Sequence, residues 1–514
     1  MWPPRAAVVL TTLLGAAIPA WAEAPLSAID WLSQSVTTPA ALPRLAPLNE
    51  PAITKGVVPG AISMAPLGGP DVNGLGLISA QRAGLPRNLW GTTPSADLAR
   101  LLRDEQPDTL PAIQSLLYSL LIAELAPPTD SDRDGALFLA RVDKLLDLGA
   151  LDPALSLLEL LDKPRPEPFR RWFDVSLLMG QEYRACDKMA KNPQIAPTFP
   201  ARIFCLARGG DWNAAALSLR TGQTLGTIEP ETADLLSRFL DPDLFEGEAD
   251  LPVPDRPSPL VLRLMEAVGQ PISTTTLPVA FAQADLRSNS GWKVRIEAGE
   301  RLARMGAVPP NRLLGLYTEQ KAAASGGVWE RVKAVQALEA ALESGKPEDI
   351  AAALPKAWLQ MEALELEVPF AKLFGARVAA TVLTGEAKAL AFRIGLLSDE
   401  YEKVALAHQP ADSTEAFLVG LARGDLRGAT APDQMGVAIQ AAFADGARTD
   451  EALGQLLTDH KLGEALLKAM AKVTEGASGD LRDLTDGLSL LRQVGLETPA
   501  RRAGLELLLL ERRG

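Results

Sequence analysis

Residues 136–161 read ALFLARVDKLLDLGALDPALSLLELL, and this stretch decides the fold. Phe138, Val142 and Leu145 recur at four- and three-residue intervals, the spacing of one apolar helix face. Gly149 then stops the pattern, and Asp152-Pro153 starts it again. A glycine after one helix and a proline in the first turn of the next are the ordinary punctuation of a tight helix–turn–helix. The spacing predicts helices over 136–148 and 153–161, folded into a hairpin.

The same punctuation returns at Gly209-Gly-Asp-Trp212, Gly345-Lys-Pro-Glu348 and Gly424-Asp-Leu-Arg427. From Thr93-Pro94-Ser95 onward the chain is a succession of short apolar-faced segments, beginning with 96–103 and ending with 499–511. A helix over 173–191 and its successor over 199–208 lie in the middle. Alternating β-branched runs, which an α/β enzyme would place between its helices, are missing. So many short helices cannot share one bundle, and stacking hairpins side by side buries their apolar faces. The expected fold is all-α, an irregular helical-hairpin solenoid in two halves. Residues 93–240 form the first half and 260–514 the second. An acidic, proline-rich linker, 241–259, stands between them. Residues 23–92, with Pro39, Pro43, Pro47, Pro51, Pro59, Pro66 and Pro70, read as a flexible Pro/Gly-rich arm.

The chain begins Met-Trp-Pro-Pro-Arg5, runs apolar from Ala6 to Ala20 and reaches Ala20-Trp21-Ala22. A cationic start, an apolar core and a small-x-small end are the pattern of a secretory signal peptide cut after Ala22. The apolar run falls short of the roughly 20 residues that span a bilayer. Residues 1–22 are therefore expected to be removed, leaving a soluble periplasmic protein with no membrane insertion. Loss of Arg5 takes the net charge from −13 to −14. With 51 Lys and Arg against 64 Asp and Glu, the chain lacks the cationic footprint of a nucleic-acid binder.

An oxidising compartment makes pairing of the two cysteines the expectation. Cys186 and Cys205 each stand about six residues from a proline-rich turn, about 9 Å along their helices. An antiparallel hairpin brings them level, and a disulfide follows.

This organisation resembles the tetratricopeptide-like α-solenoid class. The local echo is Ala140-x-x-x-Lys144-Leu-Leu-x-x-Gly149-x-x-x-x-Ala154, with small residues at hairpin contacts. The chain also looks like uncharacterised exported helical-repeat proteins of Gram-negative bacteria. The signal peptide, the arm ending Gly84-Leu-Pro-Arg-Asn-Leu-Trp90 and the paired cysteines carry that likeness. The resemblance implies a binding surface and no activity.

Chemistry is sparse in the sequence. Asp130-Ser-Asp132-Arg-Asp134-Gly135 matches the first half of a calcium loop, but the twelfth position is Arg141 where a bidentate Glu is needed. The competing reading is an acidic cap on the helix that begins at Ala136. His408 and His460 are the two histidines, and both read as exposed turn or cap residues. No nucleophile elbow, phosphate loop, dinucleotide fingerprint or zinc spacing is present, so no cofactor is expected. Trp172, Trp212, Trp292, Trp329 and Trp358 read as core; Trp90 is expected to dock on the helical body. In the arm, Ile29, Trp31 and Leu32 share one helical face and read as a short partner-binding helix. The functional expectation is a non-enzymatic exported scaffold that binds an envelope protein or peptide. Support of a motility or transport assembly and carboxylate chemistry on cell-wall glycan are its rivals.

Overall fold

The computed structural model describes residues 71–131, 135–161, 165–322 and 324–510. Residues 1–70, which hold the expected signal peptide and most of the expected arm with Ile29, Trp31 and Leu32, lie outside the described residues, as do Asp132 and Asp134. Among the described residues the chain is helical almost throughout. The first helices are α1 (Ser95–Asp104), α2 (Pro111–Ile122), α3 (Ala136–Asp147), α4 (Leu151–Glu159), α5 (Pro166–Leu178), α6 (Glu182–Lys191), α7 (Phe199–Arg208) and α8 (Trp212–Thr224). Next come α9 (Pro230–Leu240), α10 (Pro259–Ala267), α11 (Ala282–Asp285), α12 (Trp292–Arg304), α13 (Pro310–Thr318), α14 (Val328–Ser344), α15 (Pro347–Glu362) and α16 (Glu367–Ala379). The last are α17 (Gly385–Leu396), α18 (Tyr401–Ala407), α19 (Ser413–Arg423), α20 (Gln434–Ala442), α21 (Glu451–Thr458), α22 (Leu462–Ala477), α23 (Leu481–Gln493) and α24 (Glu497–Leu509). Two strands of two residues each, β1 (Ile78–Ser79) and β2 (Ala123–Glu124), pair in parallel.

Most neighbours in the stack are neighbours in sequence, as the hairpin reading requires: α3 packs on α4, α14 on α15, α16 on α17 and α22 on α23. The helix expected over 173–191 is instead two. Gly180, at φ 70°, breaks it between α5 and α6.

From residue 71 on, the segment expected to be an arm is packed wall. Leu85 is buried, and Leu89 and Trp90 are fully so. Arg141 explains how this segment is held. It is completely buried, and its guanidinium donates to the carbonyls of Leu121 and Ala123 at 2.8 Å and of Leu75 at 2.7 Å. One side chain thereby ties the 73–75 turn to the end of α2. Burial pulls its guanidinium down to about 10, so it stays charged at neutral pH. Carbonyl dipoles, in place of a carboxylate, offset the cost of burying that charge.

The stack does not stay open. α1 packs on α22 and α2 on α24, so the first helices close against the last. At this seam Gly463 N–H donates to the Leu89 carbonyl at 2.8 Å, and Thr92 N–H to the His460 carbonyl at 3.3 Å. The Trp90 ring lies over Gly463, where any Cβ would stand 2.7 Å from the ring. Glu506 of α24 accepts the Ala112 N–H at 2.8 Å, capping the start of α2 from across the seam.

Residues 241–256 are largely exposed, and the stretch expected to be a linker does not divide two cores. One buried cluster runs from Ala80 through Phe281 to Leu505 and so spans both expected halves. A second, centred on α12–α17, includes Leu510 from the chain's far end. Helices α6–α9 form a lobe, because α10 returns to pack on α5. At its base Arg263 donates to Glu182 at 2.7 Å.

Candidate functional site

Two concavities open on the wall formed by α14–α18. The first is a trough between α14 and α15, about 670 Å³ in volume. Ala334, Ala337 and Ala341 recur at three- and four-residue steps, so the middle of one face of α14 presents methyl groups; Ala352 and Ala353 face them from α15. Glu330, Lys333, Asp349 and Lys356 edge the trough with both signs of charge.

The second is a more enclosed groove of about 600 Å³, bounded by α16, α17, α18 and the turn after α16. Its helices meet closely because Gly395 has no side chain: a Cβ there would lie 2.8 Å from Val404 and 2.9 Å from Ala379. Ala376, Ala379, Ala380, Val382, Ala391 and Val404 make its walls apolar. Val382 is 84% exposed, an apolar lip with no protein cover. Thr381, Lys388, Glu400 and Lys403 supply its polar atoms, and Glu400 is 3.5 Å from Lys403.

His408 lines this groove, contrary to its expected place as an exposed cap. Only a tenth of its side chain is accessible. Its ring stacks on Phe392 with centroids 3.6 Å apart and planes 9° from parallel. Nε2 is 2.7 Å from a carboxylate oxygen of Glu415. Glu415 is itself fixed in the first turn of α19, where it accepts the Ala411 N–H at 2.8 Å, while Asp412 accepts the Glu415 N–H at 2.8 Å. This local network follows from the helix-capping sequence Asp412-Ser-Thr-Glu415. It leaves His408 Nδ1 without a hydrogen-bond partner among the described residues. His408 and Glu415 are functional candidates that sequence reading passed over. Their signal was the seven-residue spacing across a proline turn into a capped helix.

The other candidates from the sequence fall elsewhere. Cys186 and Cys205 are joined in a disulfide between α6 and α7, with Cα atoms 5.0 Å apart, inside the lobe. Asp130 caps a different helix from the one expected. Its Oδ1 accepts the Ser95 N–H at 2.9 Å and the Ser95 hydroxyl at 2.8 Å, at the start of α1. With Arg141 turned to backbone carbonyls, the described part of the 130–141 loop is occupied by structural work. No group of three or more metal-binding side chains occurs among the described residues. His460 sits in the seam turn at φ 59° and contributes its carbonyl there. Trp212 departs from the core reading: it is 49% exposed at the edge of the lobe, 6.0 Å from Phe239.

Buried charge lies in the wall, away from both concavities. Arg171 pairs with Asp143, Oδ2 at 2.8 Å, and Arg331 grips Glu300 with two bonds of 2.8 Å while Tyr317 donates to it at 2.7 Å. Burial lifts Glu105 to about 8 against the pull of Lys144, and Asp174 to about 7 against Arg170 and Arg171. The Arg171–Asp143 and Arg331–Glu300 pairs join helices to one another.

Compared with known proteins, the chain matches no family model, no curated protein and no solved structure. No helix of the described residues is long and apolar enough to cross a membrane.

Proposed function

We propose that the chain is an exported, non-catalytic helical-repeat scaffold that binds an envelope protein or peptide. The observation that carries this reading is the alanine-floored trough between α14 and α15. The lining runs from Glu330 to Ser344 along α14, so the trough extends for about 21 Å. A floor of methyl groups lets a partner helix approach to about 8 Å between axes, the near limit of helix packing. A rim of both signs suits selection of register. The chain's net −13 favours a partner with a cationic face. Export is supported by the amino-terminal pattern and by the Cys186–Cys205 bond. Ile29, Trp31 and Leu32, outside the described residues, are the second contact in this reading.

Crosslinking in intact cells followed by capture of the tagged chain tests it. Filling the trough with Ala337→Trp and Ala353→Trp is expected to remove a specific crosslinked protein that wild type retains. Deletion of residues 23–50 is expected to weaken recovery of the same protein. Unchanged recovery from both variants overturns the reading.

A further inference from the structure

We infer that the α16–α18 groove is a binding site for an amphiphilic carboxylate, an unbranched alkyl chain with an anionic head. This assignment does not rest on the scaffold reading, which uses the separate trough. Three observations carry it.

The first is the lining. Walls of Ala376, Ala379, Ala380, Val382 and Val404 offer methyl groups and little else. An extended peptide would bring one N–H and one C=O per residue into that space, each needing a partner. Apart from the 380–383 turn and the helix ends, the walls are helical backbone already bonded within the helix, so they have few partners to give. A peptide helix satisfies itself but is about 10 Å across with its side chains. An alkyl chain has no polar groups to strand and gains about 0.8 kcal/mol for each methylene it buries.

The second is the charge. Lys403 stands beside Glu400, so its charge is answered locally. Lys388 has no ion-pair or hydrogen-bond partner among the described residues. It lies one turn before Phe392 on α17, hence on the same face. A cation without a local counter-charge beside an apolar groove is a complementary place for one carboxylate head.

The third is His408. His408 lines the same groove as Lys388 and stacks on Phe392, which follows that lysine by one turn of α17. Glu415 accepts from Nε2–H, so His408 gives the head group a second polar contact when Nδ1 also carries a proton, as imidazolium. The geometry therefore places the head between Lys388 and His408, with the tail running along Ala379 and Val404.

Isothermal titration of the full chain with dodecanoate, below its micelle concentration, tests the assignment. Dodecyltrimethylammonium and dodecyl maltoside carry the same tail on a cationic and a neutral head, and acetate carries the head without the tail. One dodecanoate per chain is expected, with no saturable binding of the other three. Lys388→Glu is expected to weaken dodecanoate at least about tenfold, equivalent to about 1.4 kcal/mol, and to admit dodecyltrimethylammonium. Ala380→Trp, at the exposed C-cap of α16, should abolish binding with unchanged circular dichroism. Lys356→Glu, in the other trough, should bind as wild type does. Equal binding of all three amphiphiles, no binding of dodecanoate, or indifference to both Lys388→Glu and Ala380→Trp overturns it.

Discussion

The seam and the lobe keep helices together by opposite means. At the seam, residues some 370 positions apart meet through a fully buried tryptophan, a glycine that admits it, and hydrogen bonds between backbones and caps. The lobe has a thinner interior. Trp212, Leu217 and Leu225 remain substantially exposed there, and a covalent bond joins α6 to α7. Where burial is extensive, packing and hydrogen bonds close the structure without a covalent link. Where short helices project from the body, a crosslink supplies what the smaller core cannot.

This contrast can be broken most directly at the seam. Trp90→Ala should cost about 3–5 kcal/mol, the range for emptying a large aromatic site. Calorimetry should show the main transition moving to lower temperature, and limited proteolysis should cut first near residues 85–93. An unmoved transition would mean that the closure contributes nothing. Cys186→Ser with Cys205→Ser should cost about 3 kcal/mol in the loop-entropy account, and the loss should stay local. Hydrogen exchange is expected to speed up across 182–240 while the seam amides keep their protection; equal acceleration of both would erase the distinction between the two regions.

A smaller effect comes from the buried acids. Glu105 and Asp174 hold their protons in the folded chain up to about 8 and about 7, whereas unfolding releases them into the ordinary carboxylate range. Between those limits the native state binds more protons, so their contribution is greatest in acid and is lost as pH rises through about 7 to 8. Glu105→Gln and Asp174→Asn should therefore raise the melting temperature relative to wild type, by more at about pH 9 than at about pH 5. A gain larger at the acid end would reverse the assignment. The smallest effect is expected at an exposed site. Arg427 holds Asp425 well below the usual carboxylate range, yet both are solvated, and Asp425→Asn should leave the melting temperature unchanged.

Much of the fold was legible because its grammar is local. Gly149 and Pro153 sit within five residues of each other, and each such break is visible without knowing what packs where. Closure is not local. Trp90 announced itself as an aromatic in a Pro/Gly-rich stretch, but nothing near it names Gly463 as its partner. Residues 241–256 were legible as exposed chain; that one core spans both sides of them was not, since composition records solvent contact and not what joins behind. The disulfide could be read because hairpin geometry brings its ends together. His408 was misplaced because a histidine before Gln409-Pro410 suggests a turn in water, and its burial depends on Phe392 from another helix. Trp212 failed in the other direction: helical spacing gives a side chain a face, and the lobe has no further layer to cover that face.

An open array of hairpins can lengthen or shorten by one unit, since each repeat touches only its neighbours. Here the Glu506 carboxylate must reach the Ala112 amide. A duplicated or deleted hairpin anywhere along the circuit would carry α24 out of register with α2. The number of units is thereby locked, and evolutionary change is channelled into side chains and loops instead of repeat number.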